Sequence, residues 1–167
     1  FTGGFTVEAA AAVVLGAARP RVDVINRLVD LVAKSLVVAD VSGAKPRFRL
    51  LDTTRAYALE MLGTTGERES ISRRHAQHYL QLFLRAEAEA PERTTGDWLA
   101  DYAQEIDNLR SALDWAFSPN GDGSIGVALT ASAVPLWMRL SLLEECRGCA
   151  KQALGALGPA SNEDPRE

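Results

Sequence analysis

Three short clusters of residues have the types and spacing that could support chemistry. Cys146 and Cys149 are separated by two residues, which is the spacing of thiol–disulfide redox motifs. His75 and His78 lie three positions apart, so on a helix both could reach one metal ion. Residues 120–123 (Asn-Gly-Asp-Gly) resemble part of a calcium-binding loop. Each cluster raises a specific enzymatic or metal-binding hypothesis.

Each cluster also has a simpler interpretation, which the surrounding sequence favours. The two cysteines fall in the middle of a predicted helix with no strand before it, and two ligands are too few for structural zinc. His75 lies on an apolar helical stripe, as a hydrogen-bonded packing histidine would. Residues 120–123 lack the remaining ligands of a calcium site, including its glutamate, and therefore predict a turn. No phosphate loop of the form G-x-x-x-x-G-K-[ST] is present. We predict that this segment is not an enzyme and holds no cofactor or metal; a cysteine redox enzyme remains an alternative.

The composition is that of an ordinary globular protein. The chain has 167 residues, of which 47% are hydrophobic and 24% are charged. Its longest wholly apolar run, residues 9–15, is far shorter than the roughly 20 residues of a membrane span. No targeting sequence is visible and two cysteines cannot form a disulfide framework. We therefore expect a cytoplasmic protein with no membrane partner, and the two ends resemble those of an excised segment.

The first 63 residues have the element order of a winged helix-turn-helix domain. The order is helix, helix, hairpin, helix, and the turn-forming residues 42–46 lie in the middle of the hairpin. The predicted elements are helices at 6–15, 22–32 and 52–62 and a hairpin at 36–51. Asp52 or Thr53 could cap the last helix with a side-chain oxygen. This order predicts a domain at 1–63 whose first helix is missing.

Residues 64–167 are predicted to form an all-helical domain. A break at 63–66 precedes four segments of helical periodicity, at 67–90, 97–117, 125–140 and 142–157. They pair as antiparallel helical hairpins similar to tetratricopeptide repeats, without a strict period of about 34 residues. The whole chain is accordingly predicted to be mainly α, with one small β-hairpin.

The charge distribution argues against autonomous DNA recognition. Residues 1–63 hold eight basic and six acidic side chains, whereas the remainder holds ten and sixteen. The helix that would enter a major groove, 22–32, carries Asp23 and Asp30, which phosphates repel. The candidate DNA contacts are Arg27, Lys45, Arg47 and Arg49. A winged-helix DNA-binding module therefore stays an alternative hypothesis.

Four blocks of sequence resemble one known family. Residues 1–10 (FTGGFTVEAA) are similar to an F-x-G-G-F-T-L-E-A-A opening, and residues 49–60 (RLLDTTRAYALE) to R-L-L-E-T-I-R-A-Y-A-L-E. Residues 73–80 and 105–113 resemble R-R-H-A-x-Y-Y-L and E-x-D-N-L-R-A-A-L. These blocks are found in this order in bacterial transcriptional regulators that contain a signal-transduction ATPase core of the STAND or NB-ARC type. The resemblance covers most of residues 1–157.

The resemblance implies a regulatory segment downstream of a nucleotide-binding domain in the same chain. ATP or ADP would be bound by that upstream domain, and the helical region would bind a protein or an effector. DNA would be contacted through the parent protein. The Met-His-Asp motif of related ATPases aligns with Leu50, Leu51 and Asp52, so leucine replaces the histidine that would approach the nucleotide.

The leading hypothesis is therefore a non-catalytic segment that relays nucleotide state and makes protein–protein contacts. The residues predicted to serve interdomain packing are Asp52, Arg55, Tyr57, His75, Asp107 and Asn108. The absence of a first helix would leave apolar faces of helices 6–15 and 22–32 exposed, so self-association is also predicted.

Overall fold

The protein folds into a mainly helical structure with one antiparallel hairpin, as the sequence predicts. The computed structural model describes residues 1–15, 21–43 and 45–158, except the side chains of residues 15 and 21. Its elements are α1 (Val7–Leu15), α2 (Arg21–Ala33), β1 (Val37–Asp40), β2 (Arg47–Leu50), α3 (Asp52–Thr64), α4 (Arg68–Glu89), α5 (Thr95–Tyr102), α6 (Ile106–Ala116), α7 (Gly123–Arg139) and α8 (Leu143–Ala156). A 3₁₀ turn at Ala103–Glu105 connects α5 to α6.

The winged-helix part has a small core made by α1, α2 and the hairpin. Thr6 Oγ1 accepts a hydrogen bond from the Ala9 N–H at 3.2 Å, so Thr6 caps α1 as its residue type predicts. The buried members of this core are Phe5, Ala9, Ala10, Val24 and Leu28. In the hairpin, Val37 pairs with Leu50 and Asp40 with Arg47. The apolar pair faces this core and the charged pair lies on the opposite face of the hairpin, which we call its outward face, because side chains opposite each other lie on one face of a sheet.

The helical part has a larger core, through which α4 runs against α6 and α7. The largest side chains withdrawn from solvent in the described residues are Trp98, Trp137, Tyr79 and Phe83. Each buried side chain of this size stabilises the fold by about 1.5–3 kcal/mol. This core makes the helical part the more strongly packed half of the chain.

Residues 1–5, which we call the strap, join the two cores. Phe5 exchanges two backbone hydrogen bonds with Phe48 of β2, each 2.8 Å long. Phe1 stacks on Phe5 with ring centroids 4.5 Å apart and also packs against the helical core. The strap therefore adds a third extended segment beside the hairpin and lies between the hairpin and the helices.

The prediction of one continuous helix from residue 97 to 117 is wrong. The structure has α5 and α6 instead, separated by the 3₁₀ turn that ends at Glu105. The Glu105 backbone departs from helical geometry, with φ −93° and ψ 1°. Its carboxylate is buried against partners from distant elements, described below, and a local periodicity cannot report such contacts.

The predicted cap of α3 is also wrong, whereas the predicted break after it is present. The N-cap residue is Leu51, in extended conformation, and no side chain caps the helix. Asp52 is instead the first helical residue and pairs with Arg55 at 3.5 Å. At the other end of α3, Gly66 adopts a left-handed φ of +72°, a conformation that glycine takes without steric cost.

Candidate interdomain and nucleic-acid interface

Glu105 is the centre of a polar network between the helices and the β1–β2 hairpin, which we call the wing. Its Oε1 accepts a hydrogen bond from Arg47 Nη1 of β2 at 2.6 Å. Its Oε2 accepts from Tyr79 Oη of α4 and from Asn108 Nδ2 of α6, both at 3.1 Å. Burial and the neighbouring carboxylate raise the pKa of Tyr79, so its hydroxyl stays protonated and can donate this hydrogen bond. The carboxylate is thus compensated by donors from three elements, as a buried charge requires.

Asn108 ties the strap to the helical part. Its Oδ1 accepts from the backbone N–H groups of Thr2 and Gly3 at 3.1 Å each. Its Nδ2 donates to the Gly4 carbonyl at 2.8 Å, in addition to Glu105. All four contacts are made by one fully buried amide. Asn108 was predicted to serve interdomain packing, and three of its four partners belong to the strap, more than a hundred residues away in the sequence.

Arg47 completes the network from the wing side. Its Nη2 donates to the same Gly4 carbonyl at 2.8 Å, and its side chain is 16% exposed. Asp40, which faces it across the hairpin, accepts from Ser42 instead. Arg47, a predicted DNA contact, is therefore engaged inside the molecule.

The other predicted DNA contacts point into solvent. Lys45, Arg49 and Arg27 are exposed. Arg49 lies two residues from Arg47, so both side chains occur on the outward face of β2. The outer surface of α2 is mixed, because the exposed apolar residues Val22, Ile25 and Val29 lie among its polar residues.

A second contact between the domains is made by neighbouring residues of α4. Arg74 Nε donates to the Val13 carbonyl in the last turn of α1 at 2.7 Å. His75 is buried between Phe1 and Tyr79, with ring centroids 5.2 and 4.7 Å away. Burial lowers the pKa of His75 to about 3, and its Nε2 has no hydrogen-bond partner among the described residues. The hydrogen bond predicted for this packing histidine is therefore missing at Nε2.

The remaining predicted packing residues lie outside the network. Asp52 is 95% exposed and Tyr57 is 64% exposed. Arg55 contacts Asp52, and Asp107 pairs with Arg110 of its own helix at 3.0 Å. Of that set, Asn108 and His75 make the hydrogen bonds and ring contacts to the strap. Asp107 lies beside Gly3, and Asp52 and Arg55 line a small pocket that also includes Phe1 and Ser111.

Sequence reasoning missed Glu105 and Tyr79 and assigned Arg47 to another role. Glu105 does lie three residues before Asn108 in one of the blocks with family resemblance, and Tyr79 lies on the predicted apolar stripe. Those signals mark both positions as candidates for packing. No local pattern links either of them to Arg47.

A cleft of about 800 Å³ opens beside the network. The wing contributes Asp40 and Lys45 to its wall, and the helices contribute His78 and Arg85. Glu105 and Arg47 also line it. Solvent therefore reaches the edge of the contact between wing and helices.

The cysteine pair does not have the environment of a redox site. Cys146 and Cys149 are free, half-buried residues of α8 that pack against the helical core. Burial and nearby Glu145 raise the pKa of the Cys149 thiol, whereas a reactive cysteine needs a lowered one. Among the described residues, no three His, Cys, Asp or Glu side chains are grouped so as to bind a metal ion.

The comparisons show which proteins this chain is similar to. Residues 1–63 match the family described as "Winged helix-turn-helix domain". Over 146 residues, 87% of this chain, the sequence is 39% identical to "Putative HTH-type transcriptional regulator Rv0890c" of Mycobacterium tuberculosis, and equally to Mb0914c of Mycobacterium bovis, which bears the same description. This chain is therefore homologous to proteins named as HTH-type transcriptional regulators, and its residues 1–63 match a winged helix-turn-helix domain.

The chain corresponds to a small part of these relatives. It spans 16% of the length of the two regulators. A further relative, "Uncharacterized protein Rv0894" of M. tuberculosis, is 34% identical over 84 residues, which are 48% of this chain and 21% of that protein. No solved structure matches the sequence. In the described part of the chain, no helix is both long and apolar enough to cross a membrane.

Proposed function

We propose that this chain is a non-catalytic regulatory segment of a transcriptional regulator, and that, with its wing held as in this structure, it works through protein contacts rather than through its own DNA binding. The observation that carries the proposal is the Arg47–Glu105 ion pair, which is 2.6 Å long and almost withdrawn from solvent. A wing held in this way belongs to a larger folded unit. Arg47, the middle cation of the wing, is not available to contact a phosphate backbone.

The proposed role includes relaying the nucleotide state of an ATPase core elsewhere in the parent protein. Support comes from the four sequence blocks similar to STAND and NB-ARC regulators and from the much greater length of the relatives named as regulators. ATP or ADP would be bound upstream, and the winged helix would contact that domain. Because the strap joins the wing to the helices and α4 contacts α1, a displacement of the winged helix would be transmitted to the helical part.

The helical part offers a surface for a protein or an effector. Its last two helices and the residue that follows α8 expose several large apolar side chains: Val134, Met138, Leu143, Leu154 and Leu157. Exposed apolar surface of this kind commonly marks an interaction site. The tetratricopeptide-like arrangement proposed for these hairpins would place the next helix or a ligand there.

DNA binding by the winged helix is the second candidate, and the exposed Arg27, Lys45 and Arg49 favour it. Titration of the chain with duplex DNA of mixed sequence at low salt separates the two candidates. We expect weak binding that Arg27→Ala and Arg49→Ala change little. Sub-micromolar, salt-sensitive binding that both substitutions weaken would establish the DNA-binding alternative.

Self-association is part of the proposal for the isolated chain. Val22, Ile25 and Val29 form an exposed apolar face on α2. Sedimentation velocity should show a concentration-dependent dimer or larger species that Ile25→Lys abolishes. Asn26→Lys, which adds the same charge next to the apolar residues, should leave most of the association intact. A clean monomer at high concentration would refute this part.

A further inference from the structure

The outward face of the wing carries one basic side chain that is hidden and one that is free. Arg47 and Arg49 occupy alternate positions of β2 and therefore the same face of the hairpin. Arg49 is exposed, and Lys45 is exposed in the turn that precedes the strand. Arg47, which lies between them, is bound by the Glu105 carboxylate. The helical part thus interrupts what would otherwise be a continuous basic strip.

We propose that Glu105 is an autoinhibitory latch, a carboxylate that holds Arg47 of the wing in place of a nucleic-acid phosphate, and that the strap keeps this latch closed. A carboxylate and a phosphate offer a guanidinium the same kind of charge-assisted hydrogen bond. While Arg47 is bound to Glu105 it cannot contact a phosphate. Release would add it to Lys45 and Arg49 on one face of the wing.

The strap links the two sides of the latch. The Gly4 carbonyl accepts from Arg47 Nη2 and from Asn108 Nδ2, both at 2.8 Å. On its other side, Phe5 is hydrogen-bonded to Phe48 of the wing. Displacing the strap therefore removes a hydrogen bond from Arg47 and loosens Asn108, one of the donors to Glu105. Movement of residues 2–4 would weaken the ion pair while Phe5 stays in the core of the winged-helix part.

The cleft gives the released side chain a route to solvent. Arg47, Glu105 and Lys45 all line this cleft. A guanidinium that loses its carboxylate partner in a partly buried site is strongly disfavoured there. It would turn outward along the cleft, towards the exposed cations of the wing.

Glu105→Gln tests the latch in the whole chain. Both carboxylate oxygens accept hydrogen bonds, so a glutamine must turn its NH₂ group toward Arg47 or toward the donors Tyr79 and Asn108. We expect its affinity for mixed-sequence duplex DNA at low salt to rise about five- to tenfold. The slope of log Kd against log salt should increase by about 1, as expected for one added phosphate contact.

Two further variants control for charge and assign the gain to Arg47. Glu87→Gln makes the same charge change at an exposed position of α4 and should raise affinity much less. The double variant Glu105→Gln/Arg47→Met should return to the affinity of the unsubstituted chain. An affinity gain that survives Arg47→Met, or that Glu87→Gln reproduces, would overturn the latch, as would the absence of any gain in a folded Glu105→Gln.

Gly4→Ala provides a test if Glu105→Gln does not fold. A Cβ at Gly4 would lie 3.2 Å from Arg47 Nε, so it pushes the guanidinium without touching Glu105. This variant should also bind DNA more tightly, and an unchanged affinity would count against the latch.

This inference rests on the proposed function, because it takes latch opening as the change that the parent protein relays. Different results would refute the proposed function and the latch. Tight binding by the unsubstituted chain would refute the proposed function. The latch is judged by the ratio of affinities between Glu105→Gln and its double variant.

Discussion

Asn108 Oδ1 lies 3.1 Å from the backbone nitrogen of Gly3, although the two residues are separated by 105 positions. The approach is close, because a Cβ at Gly3 would lie 3.3 Å from Asn108 Nδ2. Asn108 is fully buried, so in the folded protein its amide is hydrogen-bonded by the strap and by Glu105 rather than by water. This contact makes the first residues of the chain part of the helical core.

Replacing Asn108 should therefore destabilise the whole protein. Asn108→Ala leaves the N–H groups of Thr2 and Gly3 without their acceptor and Glu105 without one donor. We expect the free energy of unfolding in urea to fall by about 2–4 kcal/mol. Asn120→Ala, the same change in an exposed turn, should cost less than about 0.5 kcal/mol. Similar losses in the two variants would contradict the assigned role of Asn108.

The two arginines of β2 should contribute very differently to stability. Arg47→Met removes one partner of a buried ion pair and leaves Glu105 uncompensated, which should cost about 3 kcal/mol or more. Arg49→Met changes an exposed side chain on the same face of the strand and should cost less than about 0.5 kcal/mol. Chemical denaturation of both variants provides the comparison. Equal midpoints would show that the Arg47–Glu105 pair contributes little to stability.

His75 should make the protein sensitive to mild acid. Burial lowers its pKa to about 3 in the folded state, against about 6.5 for an unfolded histidine. Between these values the unfolded chain binds a proton that the folded chain does not, so stability falls as pH falls from about 6.5 toward 3. The free energy of unfolding should change by up to about 1.4 kcal/mol per pH unit in this window.

A comparison of two histidine variants between about pH 5 and 6.5 isolates this contribution. His75→Phe should remove most of the slope. His78 is less buried, and its pKa is also lowered by burial, so His78→Gln should remove a smaller part. If both variants keep the full slope, other groups cause the acid sensitivity.

Two helical glycines should respond in opposite directions to the same substitution. A Cβ at Gly126 of α7 would lie 2.6 Å from Cε1 of Phe117, so Gly126→Ala forces the ring to move and should cost about 1–3 kcal/mol. A Cβ at Gly148 of α8 would meet no atom within 4 Å. Gly148→Ala should therefore stabilise the protein by about 0.5–1 kcal/mol through helix propensity. Thermal unfolding monitored by circular dichroism measures both changes in stability. A loss of stability in Gly148→Ala would contradict the local geometry of α8.

The cysteine pair should behave as ordinary packed thiols. Burial raises the pKa of the Cys149 thiol. In the Cys146→Ala variant, the alkylation of Cys149 should therefore accelerate only above about pH 8.5, which is the pKa of a free cysteine. The rate of iodoacetamide modification as a function of pH gives the pKa of the Cys149 thiol. A thiolate already reactive near neutral pH would revive the redox alternative.

Much of the fold follows from local sequence. The order of helices and hairpin, the Thr6 cap and the break at residues 63–66 each depend on residue types within a few positions. The apolar stripe that predicts α4 includes Tyr79 and Phe83, which are fully buried. Periodicity determines these features because a helix or strand exposes its faces at fixed intervals along the chain.

The domain interface was decided only by the tertiary structure. Nothing near Arg47 indicates that its partner is Glu105, 58 residues away, and nothing near Glu105 predicts the 3₁₀ turn that interrupts the expected helix. Both follow from the requirement that a carboxylate withdrawn from water be met by donors, whichever elements supply them. Which donors come within reach depends on how the two cores and the strap pack together, and that arrangement is a property of the whole chain.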